Sequence, residues 1–395
     1  MIKRLLPILA LMMATQTHAQ TWQETVDAAR GQTVYWHAWG GDPRTNSYID
    51  WVDAQMQARF GIAVEHVPLT DTAEAVTRVL SERAAGQNTG GAVDLIWING
   101  PNFLAMKEQD LLFGPFVQRL PNARFVDLSP DAPASVDFTV PVDGLEAPWR
   151  LAKFVFIHDS ARVPNPPHSM GELLDWARDN PGRFTHPDPA NFMGASFLKQ
   201  ALISLVDTPA ILQNPVSEAD YAALTAPLWA WYDALRPLMW REGETFPENE
   251  SIQARLLNDG EIDITMSFDP SYAAAAINLG LLPDTARVFV PEGGTLGNIS
   301  FVAIPYNAAH VEGAQVVADF LLSPEAQAHM QNIDNLGAFS VLDPALMDAE
   351  AAAFFADLPQ SPALPELADL GPTLLEPHAS WMTAIAEDWA ARYAR

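Results

Sequence analysis

The sequence predicts an α/β protein folded as two lobes, each a mainly parallel sheet flanked by helices. Three observations predict it. The first third alternates short runs of strand character with segments of helical period. At 395 residues the chain exceeds the size at which a single core keeps growing. Pro130, Pro133, Pro141, Pro148, Pro164, Pro166 and Pro167 break up the stretch between these early units and the later ones, which marks a first passage between halves.

In chain order, Met1 to Ala19 reads as a secretory leader. Lys3 and Arg4 form a basic head, Leu5 to Ala14 is apolar, and Thr17-His18-Ala19 offers small residues at the cleavage positions. The apolar run is about half of the roughly 20 residues needed to span a bilayer, and no later segment reaches that length. Thr33 to Trp39 is a first strand, closed by Gly40-Gly41-Asp42-Pro43. Asn46 to Phe60 is a helix with Tyr48, Ile49, Val52, Met56 and Phe60 on one face, stopped by Gly61. Ala63 to Pro68 is a strand, Asp71 to Ala85 a helix, Ala92 to Ile98 a strand and Asn102 to Gln109 a helix.

The middle is expected to carry a long strand over Trp149 to His158 and helices over Met170 to Asn180, Ala195 to Val206 and Asp220 to Trp240, the last kinked at Pro227 and Pro237. A helix over Ile252 to Asp259 precedes a strand over Glu261 to Phe268 and a helix over Pro270 to Leu279. Arg287 to Pro291 and the glycine-led run Gly293 to Ile304 are strands, Ala309 to Asn332 is a helix pair, and short helices separated by prolines follow.

Composition narrows the function. Cysteine is absent, which excludes disulfides, a thiol nucleophile, a thiolate metal site and a lipid-modified N-terminal cysteine. The formal charge of −27 becomes −29 once Lys3 and Arg4 leave with the leader, and such a chain repels nucleic acid and anionic lipid. That charge serves solubility, or it favours a cationic solute. The nine histidines are scattered without metal-ligand spacing, and no cofactor is expected. Gly293-Gly294-Thr295-Leu296-Gly297 leads into a strand and is no nucleotide fingerprint. A secreted hydrolase is the rival reading. It has no G-x-S-x-G elbow to support it, and among 49 acidic residues some carboxylate pair always exists.

Three blocks carry a resemblance: Asp94-Leu-Ile-Trp-Ile-Asn-Gly100, Met266-Ser-Phe-Asp-Pro270, and Gly297-Asn-Ile-Ser-Phe-Val-Ala-Ile-Pro305 with the helix ending in Phe320-Leu-Leu-Ser-Pro-Glu-Ala-Gln327. In these the chain resembles the type II periplasmic solute-binding proteins of ABC transporters. Tyr35 to Gly41, Trp97 to Phe103 and Pro181 to Pro187 are similar to the YnjB-type members. The resemblance implies a two-lobed type II periplasmic-binding-protein fold joined by crossing strands at a hinge. Residues 20–150 plus 299–337 would form lobe 1, and 151–298 plus 338–395 lobe 2. It also implies a soluble, monomeric periplasmic receptor, not an enzyme. Such a receptor closes over a small solute and delivers it to an inner-membrane permease with its ATPase. The enzymes of this fold that attack thiamine use a cysteine, which this chain lacks.

Ligands of open parallel sheets sit beyond the carboxyl ends of the strands. Trp39, Gly40 and Gly41 follow the first strand, where glycines admit a ligand to the backbone and Trp39 gives a flat wall, or where the loop is a plain turn. Trp97, Asn99 and Gly100 follow the third strand, with Asn99 able to donate and accept, or to serve the turn. Asn191, Phe192 and Ser196 surround a helix N-terminus suited to an anionic group, or to capping alone. Phe268, Asp269 and Tyr272 end a second-lobe strand, where Asp269 is a ligand or a helix cap. Trp149 lines the cleft or packs at the hinge, and Asn298 lies in the returning strand. Together Trp39, Trp97, Trp149 and Tyr272, with Asp269 beside them, would form an aromatic cage for a thiamine- or polyamine-like cation.

Overall fold

The computed structural model describes residues 21–130, 132–365 and 367–394; the leader expected over Met1–Ala19 lies outside the described residues. Helix α1 (Trp22–Ala29) starts at Thr21, whose hydroxyl accepts from the Glu24 amide while the Glu24 carboxylate accepts from the Thr21 amide. Then come β1 (Thr33–Trp39), α2 (Pro43–Phe60), β2 (Ala63–Leu69), α3 (Ala73–Ala84), β3 (Leu95–Ile98) and α4 (Pro101–Glu108). α2 begins earlier than its apolar period suggests, because Asp42 caps the Arg44 amide and Pro43 takes the first helical position.

β4 (Val136–Asp137) and β5 (Val140–Pro141) pair as a small antiparallel hairpin. The single strand expected over Trp149 to His158 is two, β6 (Glu146–Lys153) and β7 (Val155–Asp159), because the chain changes sheets at Phe154. The second half supplies α5 (Met170–Asp179), α6 (Phe192–Leu205), α7 (Tyr221–Leu235), α8 (Glu250–Asn258), β8 (Ile264–Ser267), α9 (Tyr272–Asn278), β9 (Ala286–Phe289) and β10 (Thr295–Ala303). α10 (Val311–Leu321) and α11 (Pro324–Gln331) are the expected pair, restarted by the Ser323 cap on the Ala326 amide.

The tail departs from expectation. After α12 (Ala349–Ala353) and β11 (Thr373–Leu374), α13 (Ala379–Tyr393) runs 15 residues rather than a few. Trp381, Ile385 and Trp389 recur on one face of it and are buried in the second lobe. A buried chain of hydrogen bonds fixes it there. The Trp389 indole donates to the Tyr232 hydroxyl, which lies 2.9 Å from His186 Nε2. Burial pulls His186 down to about 4, so the ring is neutral and free to accept.

The first sheet runs β11-β10-β3-β1-β2, with β6 paired to β10. β1 is parallel to β2 and β3, and β10 is antiparallel to β3 and β6. In the second sheet, β8-β7-β9, the incoming strand β7 lies in the centre, antiparallel to both neighbours. The parallel character expected of that lobe survives between its outer strands, in the parallel bridge of Phe184 to Ile264, and where β10 meets β11. Each sheet is covered on both faces. Leu95 and Trp36 face one core and Ile96 and Ile98 another; in the second sheet Phe156 and Ile157 divide in the same way.

β6 and β10 form the crossing ribbon. Trp149 and Val302 lie in the first core, and Ala152 and Leu296 in the second. Trp149 is fully buried, edge-on to Trp36 and Trp97 at centroid distances of 5.7 and 5.0 Å and stacked with Tyr48 at 6.0 Å. Ala338, Leu342 and Ala351 still belong to the first core, so the boundary expected at Gly337 falls too early for them.

At the start of β6, the Glu146 carboxyl is buried with neither oxygen hydrogen-bonded among the described residues. Burial, then the neighbouring Asp137, pushes it well above the ordinary range. Burial takes Asp137 up to about 8, although it accepts from the Gly100 amide at 2.5 Å. Both carboxyls hold a proton near neutrality that the unfolded chain releases above its ordinary values of 4.5 and 3.8. Each therefore subtracts stability as pH rises above its ordinary value, Asp137 until about 8. Thermal unfolding will show Glu146→Gln gaining over the parent protein as pH rises from 4.5 to 8, with little difference at the acid end. Urea unfolding will show Trp149→Ala losing about 3–5 kcal/mol, the usual loss for a large buried aromatic.

Candidate ligand-binding cleft

A cavity of about 470 Å³ opens where the two sheets meet. Trp39, Trp97, Asn99 and Asn102 line it from the first lobe, and Asn191, Phe192, Glu250 and Phe268 from the second. The crossing ribbon forms its floor. In β6, Arg150 and Ala152 face the cavity, and in β10, Asn298 and Ser300 do. The pleat explains this, since alternate residues of a strand point to one face. Trp97 and Asn99 follow the same rule at the end of β3.

Of the residues expected from sequence, Trp39, Trp97, Asn99, Asn191, Phe192, Phe268 and Asn298 line this cavity. Gly40 and Gly41 instead line a second hollow of about 260 Å³ beside it, with Trp39, Pro68 and Asn249. A Cβ on Gly41 would come within 2.5 Å of the Trp39 ring, so the glycine lets that indole fold back over the loop. Gly100, at φ +54°, lies against the Phe138 ring rather than in the cavity. Ser196 is fully buried within α6.

The aromatic cage is not formed. Trp149 is in the first core, one residue out of phase with the cavity-facing Arg150. Tyr272 is buried under the Arg44 guanidinium, 4.4 Å from its ring centre. Asp269 is buried and paired with Arg150 Nη2 at 3.2 Å. Trp39 and Trp97 keep their place on the wall, though Arg150 already lies 5.6 Å over the Trp97 ring.

The sequence reading missed the charged groups that take the place of that cage. Arg44 is buried against Asp42 at 2.8 Å and donates to the Leu336 carbonyl at 2.9 Å. Burial opposes ionisation of Asp42, but Arg44 overcomes it and holds the carboxyl below its ordinary value. Arg150 uses Nη2 on Asp269, while its shielded Nε has no partner. Glu250, the first residue of α8, lines the cavity, and among the described residues no donor reaches its carboxylate; Oε2 is shielded from solvent. Burial, then Asp42, pushes it up to about 8 against the pull of Arg150 and Arg44. One signal for Glu250 was present in the chain, in Asn249, a cap residue that accepts from the Ile252 amide.

Three asparagines have the same arrangement. Asn99 donates to the Ile299 carbonyl at 2.6 Å, Asn191 to Glu248 at 2.5 Å and Asn298 to the Glu376 carboxylate at 3.1 Å. Each uses an amide N–H on the protein, and its oxygen accepts from no donor among the described residues. Behind Asn298, Glu376 holds the fully buried Lys199 at 2.5 Å. The floor is thus rigid, polar and mostly paired, and the walls are flat and apolar, the usual composition of a small-molecule site.

The model of the bacterial extracellular solute-binding protein family matches residues 50–363. The chain belongs to that family. As a solute-binding protein it is 42% identical over 390 residues to Protein YnjB of Escherichia coli strain K12, with 98% of each chain covered. Its fold is that of solved periplasmic binding proteins. A putative spermidine/putrescine ABC transporter protein from Listeria monocytogenes gives a TM-score of 0.65 at 16% identity, covering 91% of this chain and 98% of the other. A periplasmic thiamin binding protein gives 0.64 at 17%, covering 92% and 95%. The two-lobed type II architecture read from the sequence is therefore the architecture of this solute-binding protein.

The Asp42–Arg44 pair gives a direct check. Arg44→Met leaves a buried carboxylate and the Leu336 carbonyl without their donor, and urea unfolding will show a loss of about 3–5 kcal/mol. Adding Asp42→Asn to that variant will recover part of the loss.

Proposed function

We propose that this chain is the receptor of an ABC importer. It is exported to the periplasm on a cleaved leader, works as a monomer, binds one small polar solute between its lobes and hands it to an inner-membrane permease with its ATPase. The observation that carries this reading is the cavity itself. It lies between two lobes, takes residues from both, and has for its floor the ribbon that joins them. A solute held there touches both lobes at once, so its binding energy favours the arrangement in which they are close. The family match supports the transport role, and the names of the Listeria and thiamin neighbours describe those proteins' solutes rather than this one's.

Hinge closure brings a lobe-two wall, Asn191 to Met193 with Glu248 to Glu250, towards a lobe-one wall at Trp39 and Trp97. Nothing in that sequence of events needs a bond made or broken. X-ray scattering of the chain lacking residues 1–19, before and after addition of its solute, will show a smaller radius of gyration when loaded, and the solute will be recovered unchanged. A rigid envelope, or conversion of the solute into product, counts against the receptor reading. Tryptophan emission will change on loading through Trp39 and Trp97, and Trp97→Leu will diminish the change.

A further inference from the structure

We infer that the cavity is built for a solute that carries a cationic nitrogen and an anionic group on one compact, flat body, with the nitrogen received by Glu250 and the anion by Arg150. This rests on the receptor reading and narrows it to a class of solute.

The two ends are set by what the protein leaves unsatisfied. Glu250 is the one cavity-lining carboxylate on the second-lobe wall that is partly shielded and yet accepts no hydrogen bond among the described residues. Asp42, which also borders the cavity, is already saturated by the Arg44 side chain, the Arg44 amide and the Thr45 hydroxyl. Once ionised, Glu250 presents acceptors only, and the side-chain oxygens of Asn99, Asn191 and Asn298, which accept from no donor among the described residues, add to them. Such a surface calls for a group rich in N–H donors.

The opposite end offers donors. Arg150 is 7% exposed, its Nε has no partner, and Asp269 engages Nη2 alone. Its Nη1 makes no hydrogen bond among the described residues, and a guanidinium half-occupied in this way suits a carboxylate or phosphate. The start of α6 lies instead on the wall of Glu250, where the Asn191 side chain donates to the Glu248 carbonyl. Between the two ends Trp39 and Trp97 supply flat faces.

A solute of one sign would satisfy one end and bury the other unpaired, which is where selectivity arises. The charged groups facing Glu250 are Asp42 and Arg44 from α2, Arg150 from β6 and Asp269 after β8. With the Glu250 carboxyl protonated near neutrality in the empty cleft, arrival of a cation ionises it and releases a proton.

The experiment takes the chain lacking residues 1–19, isolated from its own periplasm, and identifies by mass spectrometry the solute it retains. A molecule with both a basic or quaternary nitrogen and an acidic group is the expected result; a retained solute with one sign of charge, or none, overturns the inference. If nothing is retained, calorimetry with thiamine monophosphate and a set of α-amino acids, against thiamine, spermidine and fructose 6-phosphate, decides the matter. Binding confined to single-sign probes overturns the inference. If nothing binds at all, the receptor reading fails, and this inference with it.

With the binding zwitterion in hand, Glu250→Gln should weaken it at least tenfold and leave the affinity of its analogue lacking the nitrogen unchanged. Titrations in phosphate and Tris at pH 7 should show proton release that this variant abolishes. Glu250 has no hydrogen-bond partner to lose among the described residues, so the variant is expected to fold. Equal weakening of both ligands, or no proton release from the parent protein, overturns the role assigned to Glu250.

Discussion

The crossing ribbon of β6 and β10 decides what the two lobes and the cleft each receive. Its strands are paired from Glu146 and Ala303 at one end to Lys153 and Gly297 at the other. That length carries it from one hydrophobic core to the next, so both lobes pack on it. Its pleat then sorts the side chains. Trp149 is driven into the first core, while Arg150, Ala152, Asn298 and Ser300 are left to the cavity floor. A one-residue shift in the pairing leaves Trp149 without a partner in β10, between Pro148 and Arg150, which pair with Phe301 and Ser300.

Around that floor the charges are arranged for compensation. Arg44 answers Asp42 and Arg150 answers Asp269, each pair largely out of water. Lys199 and Glu376 do the same one layer down, where burial pulls the lysine's pKa down and pushes the carboxyl's up. Buried pairs of this kind add little net stability, yet losing one partner is costly. They hold the lobes in register at the back of the cleft: Arg44 from α2 reaches Tyr272 of α9, and Ser271 donates to the Gly337 carbonyl.

Much of the fold was legible because local signals agreed with tertiary ones. Thr33 to Trp39 is a strand in sequence pattern and in structure, and Ser323-Pro324 restarts a helix as its chemistry demands. The family resemblance came from loops after strands, and the cavity lies at those loops. The charged part of the site was not legible, for a specific reason. Trp149 and Arg150 are adjacent, and only the phase of β6 tells which of them faces the cleft. That phase is set by its pairing with β10, some 150 residues away, and no local pattern shows it. Tyr272 and Asp269 misled in the same way, since their partners Arg44 and Arg150 come from distant segments. α13 was hidden by the prolines before it, although its own four-residue spacing of aromatic and aliphatic side chains was present in the chain.

That last helix has a consequence for how the molecule comes into being. Met382, Thr383 and Ala386 of α13 complete the cavity wall, and Trp381 and Trp389 seal the core beneath it. The receptor's working surface is therefore unfinished until almost the final turn of polypeptide has been synthesised and docked. A chain cut short there could assemble its first sheet and still own no enclosed pocket, so an incomplete copy would not sequester cargo that the intact protein is meant to carry.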